Sequence, residues 1–379
     1  MSSTLVILGA GHAAYSLARE YRRHDAERAI TLITRDSGDS YYKPNLSKAI
    51  AMGKSADALI LKTREAQEAA LNITVLADQQ VTAIDSNNQT VSLATGESID
   101  YGDLVFAIGA DSRRFDLAGD AAADVLHVND LDEYRHFRQQ LDGKQNVLIM
   151  GAGLVGSEFA NDLHADGIAS TLVDPAPYPL ATLLPPAQGA ALQDSLSAIG
   201  VQQHYDCHVA ELNHSETGYQ AILSNGETIT ADLVLSAAGL SVNTALASAA
   251  NIATQRGIVV NEQMATNVTN VYAIGDCAEI NGRLMPYIAP ILPSVRALVQ
   301  TLLGQPTAVV FPAMPVTVKT PCCPVISCPP AVGTEGDWIL SGKAPDLVAR
   351  FEQNGQLKGF ACTGASTTEA KALQAEIMA

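Results

Sequence analysis

Short runs of Val, Ile and Leu recur along the chain, and two of them lead directly into a glycine turn. TLVIL, at residues 4–8, precedes GAGHAA, and NVLIM, at residues 146–150, precedes GAGLVG. Continuous apolar runs of this length are typical of parallel strands buried on both faces. Beyond each turn the pattern predicts a helix, over residues 15–22 and 158–166, and then a second strand. The same strand-helix-strand unit therefore occurs twice, which favours an α/β fold with doubly wound sheets.

The C-terminal part of the chain has a different pattern. A helix is predicted over residues 294–303, where Gly304 and Pro306 end it. From residue 308 onward, short apolar segments alternate with Pro, Gly and charged turns, which indicates short strands. The predicted strands cover residues 316–319, 324–327, 338–341 and 347–351, and a last helix begins at Thr368. Residues 308–379 are therefore predicted to form a small α+β domain.

Length, charge and composition exclude several classes of protein. The 379 residues suggest two or three domains, and they carry a formal net charge of −17, whereas nucleic acids and anionic membranes attract a basic surface. Apolar runs stay well below the length of about 18 residues that spans a bilayer, and residues 1–11 lack the features of a signal peptide, so we expect a cytoplasmic location. The six cysteines lack the paired spacing of a zinc site, and we expect no metal site.

Each glycine turn has the spacing of a dinucleotide-binding motif. In GxGxxG the first Gly permits the tight turn, the second lets the backbone approach a pyrophosphate, and the third allows close packing of helix on strand. The two sets are Gly9, Gly11 and Ala14, and Gly151, Gly153 and Gly156. Each set follows a predicted strand and begins a predicted helix, which distinguishes the motif from a glycine turn that serves packing alone. The sequence therefore predicts two Rossmann-like dinucleotide-binding domains.

The acidic residue expected about 20 positions after the motif separates the two copies. In the second copy it is Asp174, at the end of the strand STLVD. A carboxylate there repels the 2′-phosphate of NADP, which an Arg or Lys normally accommodates. No Lys or Arg lies between Lys144 and Arg256, so we assign the second site to NADH.

The first copy lacks this acid. Its second strand, AITLIT, ends at Thr34, and Arg35 and Asp36 follow. Thr34 could hydrogen-bond a ribose hydroxyl, and Asp36 could do so after a small shift. Ordinary loop roles are also open for both residues.

Three further segments extend the pattern over nearly the whole chain. YGDLVFAIGA closes the first unit, ADLVLSAAG closes the second, and TNVTNVYAIGD follows at residues 266–276. With the two glycine motifs, they resemble the pyridine nucleotide-disulfide oxidoreductase family. The resemblance implies FAD at the first motif, NADH at an inserted second motif, and a contact from Asp276 to the ribityl chain or phosphate of the flavin. It implies an FAD-binding domain at residues 1–110 and 240–307, interrupted by an NADH-binding domain at 111–239, before the C-terminal domain at 308–379.

The chain departs from the disulfide reductases of this family. They carry redox cysteines soon after the first unit, but no Cys precedes Cys207 here. Residues 43–48, KPNLSK, resemble the corresponding element of flavin reductases that serve rubredoxin, ferredoxin or nitrite reductase. In those relatives the last lysine lies near N5 of the flavin and pairs with the Glu after the second motif, which implies a catalytic pair of Lys48 and Glu158. A cation beside N5 stabilises the reduced flavin. Solvated surface roles are the alternatives for both residues.

Within this subgroup the details favour the NADH:rubredoxin reductases of alkane-degrading bacteria. YYKPNLSK, the VFAIGA strand and the C-terminal MPVTVKTPCCP carry this resemblance. It implies hydride transfer from C4 of NADH to flavin N5, followed by release of single electrons to rubredoxin, a small acidic carrier. We expect that carrier to dock near a set of basic residues, because a cation-poor NADH domain would repel it. The set is Lys43, Lys48, Arg283, Arg296 and Lys319.

Other functions stay open at this point. The same site would serve ferredoxin, a flavorubredoxin or a nitrite reductase module, and an NADH oxidase using oxygen directly is a further alternative. In a protein that only senses nucleotides, FAD and NADH would be ligands rather than reactants. A monomer or weak homodimer is expected.

The resemblance completes two sets of candidate binding residues. For FAD they are Gly9, Gly11, His12, Ala13, Ala14, Thr34, Arg35, Lys43, Val81, Gly109, Glu158, Gly275, Asp276, Ile288 and Lys319. For NADH they are Gly151, Gly153, Val155, Gly156, Asp174 and Gly239. Lys319 could equally be a rim charge for a docking partner.

Overall fold

The computed structural model describes residues 3–378, with side chains through residue 377, and the chain divides into two compact units. Unit 1 comprises Met1–Tyr42, Ile60–Asp111 and Leu240–Phe311. Unit 2 comprises Lys43–Leu59, Ser112–Gly239 and Pro312–Ala379. The predicted domain boundaries placed residues 43–59 with the first glycine motif, whereas these residues belong to unit 2.

The secondary structure alternates between short strands and helices. The helices are α1 (His12–Arg22), α2 (Arg64–Leu71), α3 (Leu131–Leu141), α4 (Leu154–Ala165), α5 (Pro186–Ala198), α6 (Ala245–Ala249), α7 (Ile291–Leu302) and α8 (Ala370–Met378). Short 3₁₀ helices cover Lys43–Lys48, Asp57–Leu59, Ala122–Asp124, Gly275–Cys277 and Gly364–Glu369. The strands up to the second glycine motif are β1 (Leu5–Leu8), β2 (Ile30–Ile33), β3 (Ser40–Tyr41), β4 (Ile60–Lys62), β5 (Thr74–Leu76), β6 (Val81–Asp85), β7 (Thr90–Leu93), β8 (Ser98–Asp100), β9 (Asp103–Phe106), β10 (Asp111–Ser112), β11 (Leu126–His127) and β12 (Asn146–Met150). The later strands are β13 (Ala169–Val173), β14 (Gln202–His204), β15 (Val209–Ser215), β16 (Gly218–Leu223), β17 (Thr228–Ala231), β18 (Leu233–Ser236), β19 (Leu240–Ser241), β20 (Ile258–Val260), β21 (Val271–Ala273), β22 (Ala278–Ile280), β23 (Arg283–Leu284), β24 (Val316–Val318), β25 (Val325–Cys328), β26 (Asp337–Lys343), β27 (Asp346–Gln353) and β28 (Gln356–Thr363).

Unit 1 is built on a five-stranded parallel sheet with the order β21-β9-β1-β2-β5. The central strand β1 is entirely buried, and its four side chains are at most 2% exposed. A strand covered on both faces needs apolar side chains throughout, which explains the continuous run Leu5–Leu8. Helices α1 and α7 pack together, and their buried faces join the same apolar core. The antiparallel ribbon β6-β7-β8 leads into β9. The first glycine turn lies at the carboxyl end of β1, between β1 and α1.

Unit 2 repeats this topology around the second glycine turn. Its parallel sheet has the order β11-β18-β12-β13-β14, so β12 takes the central position that β1 has in unit 1. The antiparallel ribbon β15-β16-β17 precedes β18, as β6-β7-β8 precedes β9. The two copies found in the sequence are therefore two sheets of the same design.

The C-terminal part of unit 2 contains an antiparallel sheet with the order β24-β25-β28-β27-β26, and α8 packs on it. Strand β28 is a correction to the sequence interpretation, which predicted no strand there. Lys358 and Gly359 interrupt its apolar run, yet Phe360, Ala361 and Cys362 are fully buried, because β28 pairs with β25 on one side and β27 on the other.

The predicted fold class, two Rossmann-like domains with a small α+β C-terminal domain, is confirmed. Among the described residues, no helix has both the length and the apolar character required to cross a membrane.

Candidate active site

The first glycine turn joins β1 to α1. Its two glycines differ, because Gly9 packs tightly against another strand end and Gly11 leaves space beside the helix. Gly9 has φ +112°, and a Cβ there would overlap the carbonyl oxygen of Ala107. Gly11 is the N-cap of α1, and apart from adjoining residues no described atom lies within 4 Å of the position its Cβ would take. The first turn of α1 has neither a side-chain cap nor an acidic residue. This helix end therefore fits a pyrophosphate, because its backbone N–H groups and positive dipole end favour an anion.

Other predicted FAD residues lie in the same unit. Gly275 lies against α1, since its Cβ would be 3.0 Å from the Cβ of Ala13. This contact brings the segment that carries Asp276 to the glycine turn, as the family pattern implies. The ring of His12 meets the ring of Tyr42 edge to face, with centroids 6.2 Å apart. Burial, and then the charge of Arg19, lowers the pKa of His12, which favours the neutral form of its imidazole.

The residues after β2 make contacts that bear on which of them hydrogen-bonds the ribose of FAD. Thr34 is buried, and its hydroxyl donates to Asp36 Oδ1 at 2.6 Å. Arg35 forms an ion pair with Asp111 at 2.6 Å. A Thr34 hydroxyl that already donates to Asp36 can only accept from a ribose, whereas the carboxylate retains acceptor capacity. Both residues therefore retain an acceptor for a ribose hydroxyl, and the choice between them stays open.

The remaining FAD candidates divide between the units. Val81 and Ile288 are half-buried against the apolar core of unit 1, and Gly109, with φ +68°, follows β9. Lys43, Glu158 and Lys319 lie in unit 2.

The second glycine turn repeats the first with a tighter helix. A Cβ at Gly151 would lie 2.7 Å from the carbonyl oxygen of Ala237, and one at Gly156 would overlap the carbonyl oxygen of Gly151. Gly153 is the N-cap of α4, and apart from adjoining residues it has no described atom within 4 Å of its Cβ position. Because α4 also begins without a side-chain cap or an acid, its N-terminus is suited to a second pyrophosphate.

Asp174 lies beside this turn, immediately after β13. Its Oδ2 accepts from the backbone N–H of Ala152 at 2.6 Å, and its Oδ1 accepts from that of Ala176 at 2.7 Å. These bonds fix the carboxylate against the turn, as expected for a group that hydrogen-bonds a ribose. The other NADH candidates, Val155 at the start of α4 and Gly239 after β18, belong to the same unit, and Val155 is 40% exposed.

Glu158, in the second turn of α4, has a completely buried side chain. Its Oε2 pairs with Lys319 Nζ at 2.8 Å and accepts from the Ser47 hydroxyl, and its Oε1 accepts from the backbone N–H of Lys319 at 2.8 Å. The ammonium of Lys319 also donates to the carbonyl oxygen of Pro44. Because a buried carboxylate is tolerated only when paired and hydrogen-bonded, these contacts account for its position. We call Glu158, Lys319 and Ser47 the Glu158 centre.

The prediction that Lys48 pairs with Glu158 is wrong in this structure. Lys48 is half-buried at the end of the 3₁₀ helix Lys43–Lys48 and forms no ion pair within the described part of the chain. The preceding side chain, Ser47, points to Glu158 instead, and Lys319 supplies the cation. Lys319 is 26% exposed, so the alternative of a freely solvated rim charge is disfavoured.

Sequence reasoning also missed two buried residues next to this centre. Asn161 and Asp162 follow Glu158 on α4 and are 6% and 3% exposed. Their spacing from Glu158 was the available signal, because i+3 and i+4 lie on the same face of a helix. Polar residues repeating on a buried face indicate specific partners.

Two comparisons with protein families cover almost the entire chain. The model of the family "Pyridine nucleotide-disulphide oxidoreductase" matches residues 3–296. The chain belongs to this family. A second model, "Rubredoxin binding C-terminal domain", matches residues 308–377.

Individual relatives agree with this assignment. A rubredoxin-NAD(+) reductase from Alcanivorax borkumensis is 40% identical over 99% of this chain and 98% of its own length. A nitric oxide reductase FlRd-NAD(+) reductase from Pectobacterium atrosepticum is 39% identical over the full length of both proteins. Among solved structures, a ferredoxin reductase from Rhodopseudomonas palustris has a TM-score of 0.89 and 26% identity, covering 97% of this chain and 93% of that one.

As a member of the family, the chain is an oxidoreductase whose cofactors are FAD and NADH. The open helix ends at Gly11 and Gly153 fit two dinucleotides. Within the described residues, no group of three or more His, Cys, Asp or Glu side chains is arranged to hold a metal ion.

Asp174→Asn is expected to reduce the preference for NADH over NADPH by roughly tenfold, because the amide no longer repels a 2′-phosphate and is a weaker acceptor for the ribose. The measurement is kcat/KM for flavin-dependent turnover with each nucleotide. Asp194→Asn, an exposed position on α5 of the same unit, is the control. An unchanged nucleotide preference in Asp174→Asn would contradict the assignment of this carboxylate.

Cys322 is suited to a test of thiol reactivity, because it alone among the described cysteines is only partly buried. Burial raises the pKa of its thiol from 9.0 to about 11. A raised pKa leaves a smaller fraction of the thiol ionised at pH 8, although each thiolate is more nucleophilic. Alkylation of Cys322 at pH 8 should therefore be roughly tenfold slower than that of a solvated thiol. Mass spectrometry after iodoacetamide treatment between pH 7 and about 11 should show the rate rising throughout, with Cys322→Ser as the control. A plateau below pH 9 would contradict the raised pKa.

Proposed function

We propose that this protein is an NADH:rubredoxin reductase, which accepts a hydride from NADH and passes electrons to a rubredoxin. The observation that carries this proposal is the match of residues 308–377 to a rubredoxin-binding domain. The full-length similarity to rubredoxin-NAD(+) reductases of Alcanivorax borkumensis and Acinetobacter baylyi, at 40% and 39% identity, supports it.

The residues of the chain would bind and orient the two nucleotides. The turn at Gly11 would hold the pyrophosphate of FAD, the turn at Gly153 that of NADH, and Asp174 the NADH ribose. FAD, when bound, supplies a group that takes up a hydride and passes on electrons one at a time. In our proposal the Glu158 centre stabilises the negative charge that this uptake creates, with Lys319 rather than Lys48 as the cation that Glu158 holds. Lys48 remains a candidate for a second cation.

Anaerobic stopped-flow spectroscopy tests the proposal. The protein is mixed with NADH or NADPH, the absorbance of the flavin band at about 450 nm is recorded, and oxidised rubredoxin or ferredoxin is then added. We expect NADH to bleach the flavin rapidly, and we expect rubredoxin to reverse this bleaching while ferredoxin hardly affects it. Reversal by ferredoxin alone would overturn the carrier, and absence of bleaching would overturn the reductase activity. Fast peroxide production in air without a carrier would favour the NADH oxidase alternative.

The basic residues predicted for docking now divide by availability. Arg283 and Arg296 are exposed, whereas Lys319 is engaged with Glu158. Exposed charges contribute mainly to the association rate of an acidic carrier. Arg283→Glu combined with Arg296→Glu should therefore raise the KM for rubredoxin about tenfold at low salt and flatten its salt dependence. Turnover with an uncharged quinone serves as the control, and normal kinetics with rubredoxin would remove these residues from the docking surface.

A second candidate is supported by the Pectobacterium relative, which is as similar in length and identity as the rubredoxin reductases. In this alternative the acceptor is the rubredoxin module of a flavorubredoxin. Comparing kcat/KM for a free rubredoxin and for such a module distinguishes the two, because the better substrate by tenfold or more identifies the carrier.

A role in alkane hydroxylation is a finer proposal that rests on sequence resemblance. Its test is alkane-dependent NADH oxidation by this protein, a rubredoxin and an alkane hydroxylase together. NADH consumption that yields no alcohol would contradict it.

A further inference from the structure

One face of α4 carries three buried polar residues in succession. Glu158, Asn161 and Asp162 occupy positions i, i+3 and i+4, so their side chains leave the helix on the same side. They are 1%, 6% and 3% exposed. The roles of Asn161 and Asp162 follow from the backbone groups that they bind.

Asp162 binds the segment that supplies Ser47. Its Oδ2 accepts from the backbone N–H of Ile50 at 3.0 Å, and its Oδ1 accepts from that of Ala51 at 2.9 Å. Both amides lie just beyond the 3₁₀ helix Lys43–Lys48, after Ala49. Each carboxylate oxygen is thus committed to one amide, and the end of this short helix is anchored on α4.

Asn161 binds the segment that supplies Lys319. Its Oδ1 accepts from the backbone N–H of Cys322 at 3.2 Å, while its Nδ2 donates to the carbonyl oxygen of Ser157 at 3.0 Å. The second bond holds the amide in the orientation that presents oxygen to Cys322. The segment that carries Lys319 is therefore anchored three residues beyond the lysine.

We propose that Asp162, assisted by Asn161, is a positioning residue that holds the two partners of Glu158 in place. Ser47 and Lys319 come from segments far apart in the chain, and a lysine side chain loses much rotational freedom when held in one geometry. Anchoring the backbone near Ser47 and near Lys319 reduces the conformational entropy that the two side chains lose when they bind Glu158. The consequence for hydride transfer rests on the function proposed above, whereas the structural role does not.

Asp162→Asn tests this role, because the amide presents a donor to one of the two backbone N–H groups. Asp166→Asn, an exposed carboxylate at the end of the same helix, is the matched control. Hydrogen exchange by mass spectrometry should show at least tenfold faster exchange in residues 43–51 of Asp162→Asn and little change in α5. Flavin bleaching by NADH should slow about tenfold, while the Kd for NAD+ changes less than twofold.

A double-mutant cycle with Glu158→Gln separates positioning from a general loss of packing. If Asp162 acts through the Glu158 centre, Asp162→Asn should slow bleaching by less than about twofold when Glu158 is already glutamine. Additive effects in the cycle, or unchanged exchange in residues 43–51, would overturn the proposal. Should Asp162→Asn fail to fold, Asn161→Ala is the second variant, because it removes the acceptor for the backbone N–H of Cys322. Faster hydrogen exchange around residues 319–323 and a non-additive cycle with Glu158→Gln would then support positioning. Unchanged exchange or additive effects would overturn it.

Failure of the proposed function gives a different result. If the protein has no reductase activity, NADH would not bleach the wild-type flavin at all; if only the carrier differs, bleaching and the cycle above are unaffected. The exchange of residues 43–51, and a cycle measured on the free energy of unfolding, would still decide whether Asp162 positions the partners of Glu158.

Discussion

Glu158→Gln is expected to slow flavin reduction by NADH about 10- to 100-fold and to lower the free energy of unfolding by about 2–3 kcal/mol. Both carboxylate oxygens of Glu158 accept hydrogen bonds, and Lys319 and Ser47 provide all the donors described above. Glutamine replaces one acceptor by a donor and leaves the Lys319 ammonium without its counter-charge, so the cation is no longer held in the position that the proposed function requires. Since Lys319 is 26% exposed, water recovers part of that loss, and we therefore expect the low end of the range for a broken buried pair.

The control for this prediction is Glu279→Gln. Glu279 is also 1% exposed and accepts from the backbone N–H of Gly257 at 2.9 Å, but it lies in unit 1. Both variants should lose stability in chemical denaturation, and only Glu158→Gln should slow bleaching in stopped flow. Equal slowing by both would mean that the effect is general destabilisation, and no slowing by Glu158→Gln would exclude the Glu158 centre from the reaction.

Gly156→Ala is expected to destabilise unit 2 by about 3 kcal/mol or more, whereas Gly153→Ala should leave its stability nearly unchanged and abolish tight NADH binding. A methyl group at Gly156 would overlap the carbonyl oxygen of Gly151, and backbone atoms yield far less than a flexible side chain. At Gly153 the same methyl group meets no described atom, but it would occupy the space through which a pyrophosphate approaches the end of α4.

Thermal unfolding and NAD+ titration measure the two effects separately. For Gly153→Ala we expect a melting temperature within a few degrees of the wild type and an approximately 100-fold weaker Kd, since several hydrogen bonds to the phosphate are lost. The corresponding change at the first turn, Gly11→Ala, is the control, because it should weaken FAD retention and leave the turn at Gly153 intact. Normal NAD+ binding by Gly153→Ala would contradict the pyrophosphate assignment.

Features that depend on adjacent residues were predictable from the sequence. The continuous apolar runs predicted β1 and β12 because strands buried on both faces tolerate few polar residues. The glycine motifs predicted the two turns because only glycine fits against Ala107 and Ala237. The absence of Lys and Arg around Asp174 likewise predicted the nucleotide preference from composition alone. All of these rest on local sterics or local charge.

Strand β28 needed more than local pattern. A central antiparallel strand is defined by its two neighbours, so the interruptions at Lys358 and Gly359 could not be weighed before β25 and β27 were in place.

The sequence by itself determined the fold class and the two nucleotide turns, because each follows from patterns within a few residues of the chain. The family followed from a resemblance carried by motifs along nearly the whole chain. Only the tertiary structure decided which lysine pairs with Glu158. The resemblance of KPNLSK to related reductases implied Lys48, but the residues around a lysine in the sequence do not show what it contacts in the fold. The choice depends on which segments pack on α4, where Asp162 anchors residues 50 and 51 and Asn161 anchors residue 322. This packing turns Ser47 and Lys319, rather than Lys48, toward the buried carboxylate.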